Sequence, residues 1–258
     1  NRNTAVGFQC MLANTTGAEN AALGYNSLTA NTTGNRNVSV GDAALDASTT
    51  GSDNVAIGQQ SLGSNTTASS NTAIGQKALF TNTTGHSNTT ALGNTAVGFA
   101  SMDANTTGNE SAALGYNSLG AHTTGNSNVG VGFEGGAGIT TGTNDTCVGR
   151  SSGATITTGT RSTAIGSFSM GSTNSKTGDS NTAMGYASLA KLSSGNNNTV
   201  IGDTAGGEIT SGSGNTAIGI NAGGSVTTGG NHFFIGHGAG MSSGPGGSPG
   251  GAITTGNN

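Results

Sequence analysis

The residues of this chain that are able to do chemistry are few and scattered. Histidines stand at His86, His122, His232 and His237. His232 and His237 are five apart, yet neither has a cysteine or a spaced carboxylate beside it, so the donor set of a metal site is missing. Asp42 and Asp46 form the nearest approach to a carboxylate pair, and they are too isolated for two-carboxylate glycoside cleavage within one chain. His237-Gly238-Ala239-Gly240 does not complete a dinucleotide fingerprint. A calcium-binding nonapeptide roll needs a regular Asp, and only eleven acidic residues exist. The expectation is no enzyme, no cofactor and no metal.

Binding is a better prospect. Directly after a recurring glycine come Phe8, Tyr25, Phe99, Tyr116, Phe133 and Tyr186, six of the ten aromatic residues. A row of such rings can grip sugar rings, so these six are candidate surface ligand contacts. The same row can cover glycine backbone or seal a contact between chains, and that use is favoured. Regular Thr arrays on a flat face can order water as ice-binding solenoids do. The Thr pairs here are adjacent in sequence and so point to opposite faces, and no paired array is expected from them.

What positions these residues is a phrase, Asn-Thr-Ala-Ile-Gly, read at Asn71–Gly75 and Asn215–Gly219. Its closing glycine recurs from Gly7 to Gly236, and eleven of the thirteen intervals are 17 residues, with one of 23 and one of 19. A fixed period over a chain marks a repeat architecture. Composition agrees: 49 Gly, no Trp and 7% charged residues, with the few apolar residues strictly placed, which separates the chain from charged disordered sequence. The net charge of −4 leaves no basic stripe for nucleic acid, and no apolar run reaches the roughly 20 residues of a membrane span. The chain reads as a segment of a longer protein.

The residue before each glycine is Val6, Leu23, Val40, Ile57, Ile74, Val97, Leu114, Val131, Val148, Ile165, Met184, Ile201, Ile218 or Ile235, all apolar. Two places earlier stand Thr4, Val38, Val55, Thr72 and their equivalents. Alternate residues of a strand share a face, so both places are expected to point into a core, with the small residue between them (Ala5, Ala22, Ala56, Ala73) facing outward. Those fourteen residues are thus the expected core ladder. A short strand of about four residues, closed by the glycine, follows.

A second apolar place lies four residues after the glycine, at Met11, Leu28, Leu45, Leu62, Leu79, Met102, Leu119, Met170 and Leu189. Elsewhere it is Gly136, Gly153, Gly206, Gly223 or Gly240, and an apolar residue then appears three places later at Ile139, Ile156, Ile209 and Val226. Each coil fills a similar volume by one route or the other, as a densely packed interior demands. Turn phrases such as Asn14–Gly17 and Ile139–Gly142 end the repeats, and their glycine is expected to supply a positive φ. The opening Asn of each phrase (Asn20, Asn37, Asn54, Asn71) would stack into a ladder serving corner backbone groups, and Asn-x-Thr is read as structural rather than as a glycosylation acceptor. Arg2, Glu19, Arg36 and Asp53 precede successive ladder Asn residues, so opposite charges should alternate along one edge. Cys10 and Cys147 lie roughly 38 Å apart at a strand spacing of ~4.8 Å, beyond disulfide reach, and read as small buried thiols. Extra residues interrupt the beat around His86–Gly93, near Thr173–Lys176 and in a Gly/Pro-rich loop at about 240–252.

Seventeen residues give a circuit of about 56 Å, with only two or three apolar side chains per coil, and small residues such as Ser27, Ala44 and Ser61 allow close approach of backbones. Association of several copies would supply the missing core. Asn54-Val55-Ala56-Ile57-Gly58 resembles the Asn-Ser-Val-Ala-Ile-Gly core of the YadA-like head repeat of trimeric autotransporter adhesins, and Asn71–Gly85 is similar to repeats of bacteriophage tail-fibre proteins. The resemblance implies a left-handed parallel β-roll with three chains side by side, although the 17-residue coil is longer than the adhesin repeat. The expected fold is therefore an all-β parallel β-solenoid of about fourteen 17-residue coils, one domain over 1–258, its expected partners being two further copies in a homotrimer. The expected function is a structural phage tail-fibre or virion shaft that presents host-surface binding to a glycan or protein receptor, outside the cell. A bacterial trimeric adhesin or extracellular filament is the alternative, and an ice-binding solenoid a more remote one.

Overall fold

The computed structural model describes residues 2–83, 93–171 and 175–241. Their regular structure is β only, in strands of three residues: β1 (Thr4–Val6), β2 (Ala21–Leu23), β3 (Val38–Val40), β4 (Val55–Ile57), β5 (Thr72–Ile74), β6 (Thr95–Val97), β7 (Ala112–Leu114), β8 (Val129–Val131), β9 (Thr146–Val148), β10 (Thr163–Ile165), β11 (Thr182–Met184), β12 (Thr199–Ile201), β13 (Thr216–Ile218) and β14 (Phe233–Ile235). The chain is a parallel β-solenoid of about 13 coils with a repeat of about 17 residues. It divides into two compact units, residues 1–130 and 131–258.

In the first unit β1 to β7 pair in sequence order, each residue opposite its equivalent one repeat later, as in Val55↔Thr72 and Ile57↔Ile74. The 23-residue interval keeps the register, since Thr72 faces Thr95 and Ile74 faces Val97. In the second unit β9 to β14 do the same, and the 19-residue interval leaves Thr163 opposite Thr182. Of the interrupting segments, residues 84–92, 172–174 and 242–258 lie outside the described residues.

The glycine that sets the beat is required by contact. Its φ lies between 117° and 142° in every coil, where side chains are rarely tolerated. A Cβ added at Gly58 would sit 2.6 Å from the carbonyl carbon of Gly75 in the next coil. The chain then turns through left-handed residues, Gln60 (φ 57) and Leu62 (φ 49) in that repeat. A left-handed leucine costs about 1–2 kcal/mol. Leu62 is wholly buried, and burying a leucine contributes about 1.5–3 kcal/mol, so burial wins. Where another residue fills the interior, glycine takes the left-handed place without strain, as at Gly153 (φ 58) and Gly206 (φ 57), beside buried Ile156 and Ile209. Cys147 helps fill the first of these coils, because a Cβ on Gly153 would meet its Sγ at 2.2 Å. The exchange seen in the sequence is thus one of volume coupled to backbone geometry.

The expected core ladder is inside out. The fourteen residues from Val6 to Ile235 do occupy equivalent strand positions, but none is buried, and Ile57 is 38% exposed. The residue between the flanking strand positions, small in most coils, is the one that points inward: Ala22, Ser39, Ala56, Ala73, Ala96 and Ala113 in the first unit, Cys147, Ala164, Ala183, Val200, Ala217 and Phe234 in the second. Alternation fixes which residues share a face, and not which face is enclosed. A coil of 17 residues is too narrow to hold two branched rows beside the inward leucines, so the row opposite them is Ala.

The turn-phrase glycine also has a different reason from the one expected. Gly17, Gly34, Gly142 and Gly159 do not have positive φ, which falls two residues later at Glu19, Arg36, Asn144 and Arg161. Glycine stands there because a Cβ on Gly34 would lie 2.2 Å from the Gly51 carbonyl oxygen. The amide ladder forms as expected. Asn54 Nδ2 donates to Asn37 Oδ1 (3.2 Å) and to Ala68 O (2.9 Å), while Asn37 Oδ1 also accepts from the Asn54 backbone N–H at 3.0 Å. Asn198 and Asn181 repeat the pattern in the second unit. The Asn-x-Thr asparagines Asn31, Asn65, Asn82 and Asn105 are buried, in keeping with their structural reading. Arg2 pairs with Glu19, and Arg36 with Asp53 at 2.6 Å, on the exposed edge, where each pair contributes only ~0–1 kcal/mol.

Two substitutions separate inside from outside. Leu62→Ala is expected to lower stability in urea melts of the dilute chain by about 2–5 kcal/mol, and Ile57→Ala by less than about 1 kcal/mol. The reverse order would return the branched row to the interior.

Candidate functional site

The outward face of each strand carries the residue before the glycine and the one two places earlier, and the residue after the glycine is outward as well. In the first unit this face is mostly apolar: Val55 and Ile57, Val38 and Val40, Ala112 and Leu114, with Thr at Thr4, Thr72 and Thr95 and with Val6, Leu23 and Leu114 each half exposed. Contiguous exposed apolar surface of this kind marks an interaction face.

All six aromatic candidates are exposed, from 45% at Phe99 to 66% at Phe8. In the first unit they come as two stacked pairs. Phe8 and Tyr25 have ring centroids 5.5 Å apart and planes within 10°, and Phe99 and Tyr116 are 5.4 Å apart within 7°. Between the pairs, the same place in the repeat holds Asp42, Gln59 and Gln76. Gln76 Nε2 donates to Gln59 Oε1 at 3.0 Å, and Gln59 Nε2 donates to Asp42 Oδ2 at 3.3 Å. Sequence reading missed this polar ladder, although its residues recur at the 17-residue period. In the second unit the pattern dissolves: Tyr186 meets Phe168 edge-on at 6.1 Å, and Arg150 stacks over Phe168 at 5.1 Å. Phe133 is exposed.

The threonines divide into two sets. Turn threonines are used up in joining coils, as Thr32 Oγ1 donates to Thr49 O (3.0 Å) and Thr140 Oγ1 to Thr157 O (3.1 Å). A second set, expected to point into the core together with the residue before the glycine, faces outward instead. Thr146, Thr163, Thr182, Thr199 and Thr216 stand opposite one another in successive strands of the second unit, on its outward face, two places from Val148, Ile165, Met184, Ile201 and Ile218.

The titratable groups do not converge. Among the described residues, no group of three or more His, Cys, Asp or Glu is arranged to hold a metal ion. His232 stacks on Phe234 at 5.5 Å, and His237 is exposed. Desolvation raises the Asp46 carboxyl, and Asp42 adds a smaller push. Cys10 and Cys147 are free thiols, the second fully buried and raised by that burial. Lys176 is buried, its Nζ 2.8 Å from Thr155 Oγ1, and burial brings it down to about 8. His122 takes a turn-Asn place, with Nδ1 3.0 Å from Asn105 Oδ1 and Nε2 3.1 Å from Asn128 Nδ2, and burial lowers it to about 4. Asp145 takes a ladder-Asn place and accepts from the Ser162 N–H at 2.8 Å. Burial pushes it up to about 7, Asp179 adds to this, and Arg161 opposes it. These groups build coils and face no common cavity.

No helix among the described residues is long and apolar enough to cross a membrane. Comparison with protein-family models, curated proteins and solved structures finds no match. The class that fold and surface define is that of the β-solenoid repeat proteins.

The buried carboxyl gives a signed pH test. Asp145 has a folded pKa of about 7 against an ordinary 3.8, so the folded chain holds its proton longer than the unfolded one. Its contribution to stability therefore declines as pH rises from about 4 to about 7 and then levels off. Asp145→Asn is expected to match the parent near pH 4 and to exceed it at pH 8 by up to about 4 kcal/mol, read from thermal melts across pH. Equal stability of the two at pH 8 would contradict this placement.

Proposed function

We propose that this chain is a structural fibre segment: a stretch of virion or cell-surface shaft in which three copies stand side by side and present surface for host attachment. The observation that carries the reading is the outward file of Val, Ile and Leu, in register from strand to strand within each unit. Most coils enclose little more than one leucine-sized side chain and a few small residues, while the branched residues that would thicken the core lie outside. Packing those files against further copies removes the apolar surface from water, at ~25 cal/mol per Å² buried. The likeness of Asn54–Gly58 to the YadA-like head repeat, and of the Asn71–Gly85 phrase to tail-fibre repeats, supports three copies and an extracellular or virion setting. A bacterial trimeric adhesin or filament subunit would use the same face in the same way. The function is mechanical and adhesive and requires no turnover.

Sedimentation equilibrium tests the reading. At micromolar concentration the chain is expected at three times its 24.6 kDa mass. Ile57→Glu combined with Ile74→Glu should return it to a single copy with its β circular dichroism intact. A parent chain that sediments as one copy overturns the proposal.

A second reading is favoured by one observation, the in-register Thr146–Thr216 file beside branched residues in the second unit. A flat array of hydroxyls and methyls at the strand spacing of ~4.8 Å is the kind of surface that templates ordered water, as in an ice-binding solenoid. Thermal hysteresis of the purified chain, lost in Thr182→Lys, would favour it over the shaft, and freezing at the equilibrium point would dismiss it.

A further inference from the structure

We infer that the file following the glycine in the first unit is a glycan-binding strip, which takes a neutral, linear oligosaccharide lying along the direction in which the coils stack. This rests on the attachment reading above and names the ligand class and the site. The strip begins with Phe8 and Tyr25, passes through the hydrogen-bonded Asp42, Gln59 and Gln76, and ends with a second aromatic pair.

Three features fit a sugar chain rather than a protein surface. The first is that ring pairs bracket a run of amides. Pyranoses present apolar C–H faces and a belt of hydroxyls, so a site for them needs aromatic surface and planar hydrogen-bonding groups in turn. The amide ladder supplies both donors and acceptors, because each glutamine uses one N–H along the file and keeps its second for a ligand. The second is ring geometry. The rings pair at 5.5 and 5.4 Å between centroids with near-parallel planes, and Phe8 and Tyr25 are 66% and 52% exposed, so the pairs present aromatic surface to a ligand. The third is spacing. Successive positions are ~4.8 Å apart, close to the advance of one sugar ring in an extended chain, and the four coil steps from Tyr25 to Phe99 span about 19 Å. A chain of four to five sugars therefore reaches from one aromatic pair to the other. Asp42 is the file's ionisable group between those pairs, so an anionic glycan would meet a carboxylate and no cation on the file.

The test uses the full chain and a set of neutral hexasaccharides, namely the β-1,4-glucose, α-1,4-glucose and β-1,4-N-acetylglucosamine oligomers, with a heparin hexasaccharide as the acidic comparison. Isothermal titration should show binding of at least one neutral oligomer and none of the acidic one. Tyr25→Ala and Phe99→Ala should each weaken that binding by about tenfold or more, while Tyr25→Phe retains it. Gln59→Leu should weaken it with no change in the thermal melt. Absence of binding by all three neutral oligomers at millimolar concentration would overturn the inference. So would unchanged affinity in Tyr25→Ala, or a fall in sedimentation mass in that variant, which would assign the rings to contact between copies. The attachment reading fails separately, on the mass of the parent chain.

Discussion

The structure depends on each coil accepting the hydrogen bonds of the next in strict register. On one edge of β4 the Val55 N–H donates to the Asn71 carbonyl of the next coil at 2.8 Å, and on the other edge the Gly58 N–H donates to the Val40 carbonyl of the preceding coil at 2.8 Å. Such bonds contribute only about 1 kcal/mol each, net of what water would offer, but every backbone group enclosed by the coil needs one. That requirement dictates the rest. Coils must approach to backbone contact, so glycine is fixed where carbonyls meet. The corners cannot satisfy their own backbone, so Asn side chains are fixed there and pass amide hydrogen bonds from coil to coil. The repeat is a consequence of register and not only its sign.

A coil this narrow cannot hold a conventional core. In most coils a leucine or methionine lies against alanine and serine and gets there by adopting a left-handed backbone that a branched residue would resist, while in the others glycine takes that place and an isoleucine or a larger strand residue fills the interior. The larger apolar residues are left on the outside of the strand. The same constraint that thins the interior thus equips the exterior with an apolar file, and that is the physical link between fold and proposed association. The surface then differs between units: aromatic pairs bracketing amides in the first, a threonine file in the second.

Much of this was legible in the sequence, for a reason that also sets its limit. Repetition reports whatever every coil needs, so the period, the parallel order, the Asn ladder and the Leu-to-Gly exchange could be read directly. Repetition does not report direction. The period of two in Val55-Ala56-Ile57 is the same whether Ala56 or its neighbours face inward, and hydrophobicity argued for the wrong side. The better signal was size: the place of Ala56 holds residues no larger than Ser in most coils, as an enclosed position requires, and the exceptions Cys147, Val200 and Phe234 occur where glycine makes room. The turn glycine misled in a similar way, since a glycine demanded by a neighbouring carbonyl looks the same as one demanded by φ. At the candidate strip the aromatics were visible singly, whereas their pairing around Asp42, Gln59 and Gln76 emerges only when coils are placed one upon another.

Engineered cross-linking tests the register most directly. In a chain with Cys10 and Cys147 replaced by alanine, the pair Val55→Cys and Thr72→Cys places thiols on residues that face each other in adjacent coils. Neighbouring strands lie ~4.8 Å apart, within the range a disulfide spans. The account predicts a rapid intramolecular disulfide on mild oxidation, and none in the control pair Val55→Cys with Ala73→Cys, whose side chains leave opposite faces. Cross-linking of the control pair in preference to the first would contradict it.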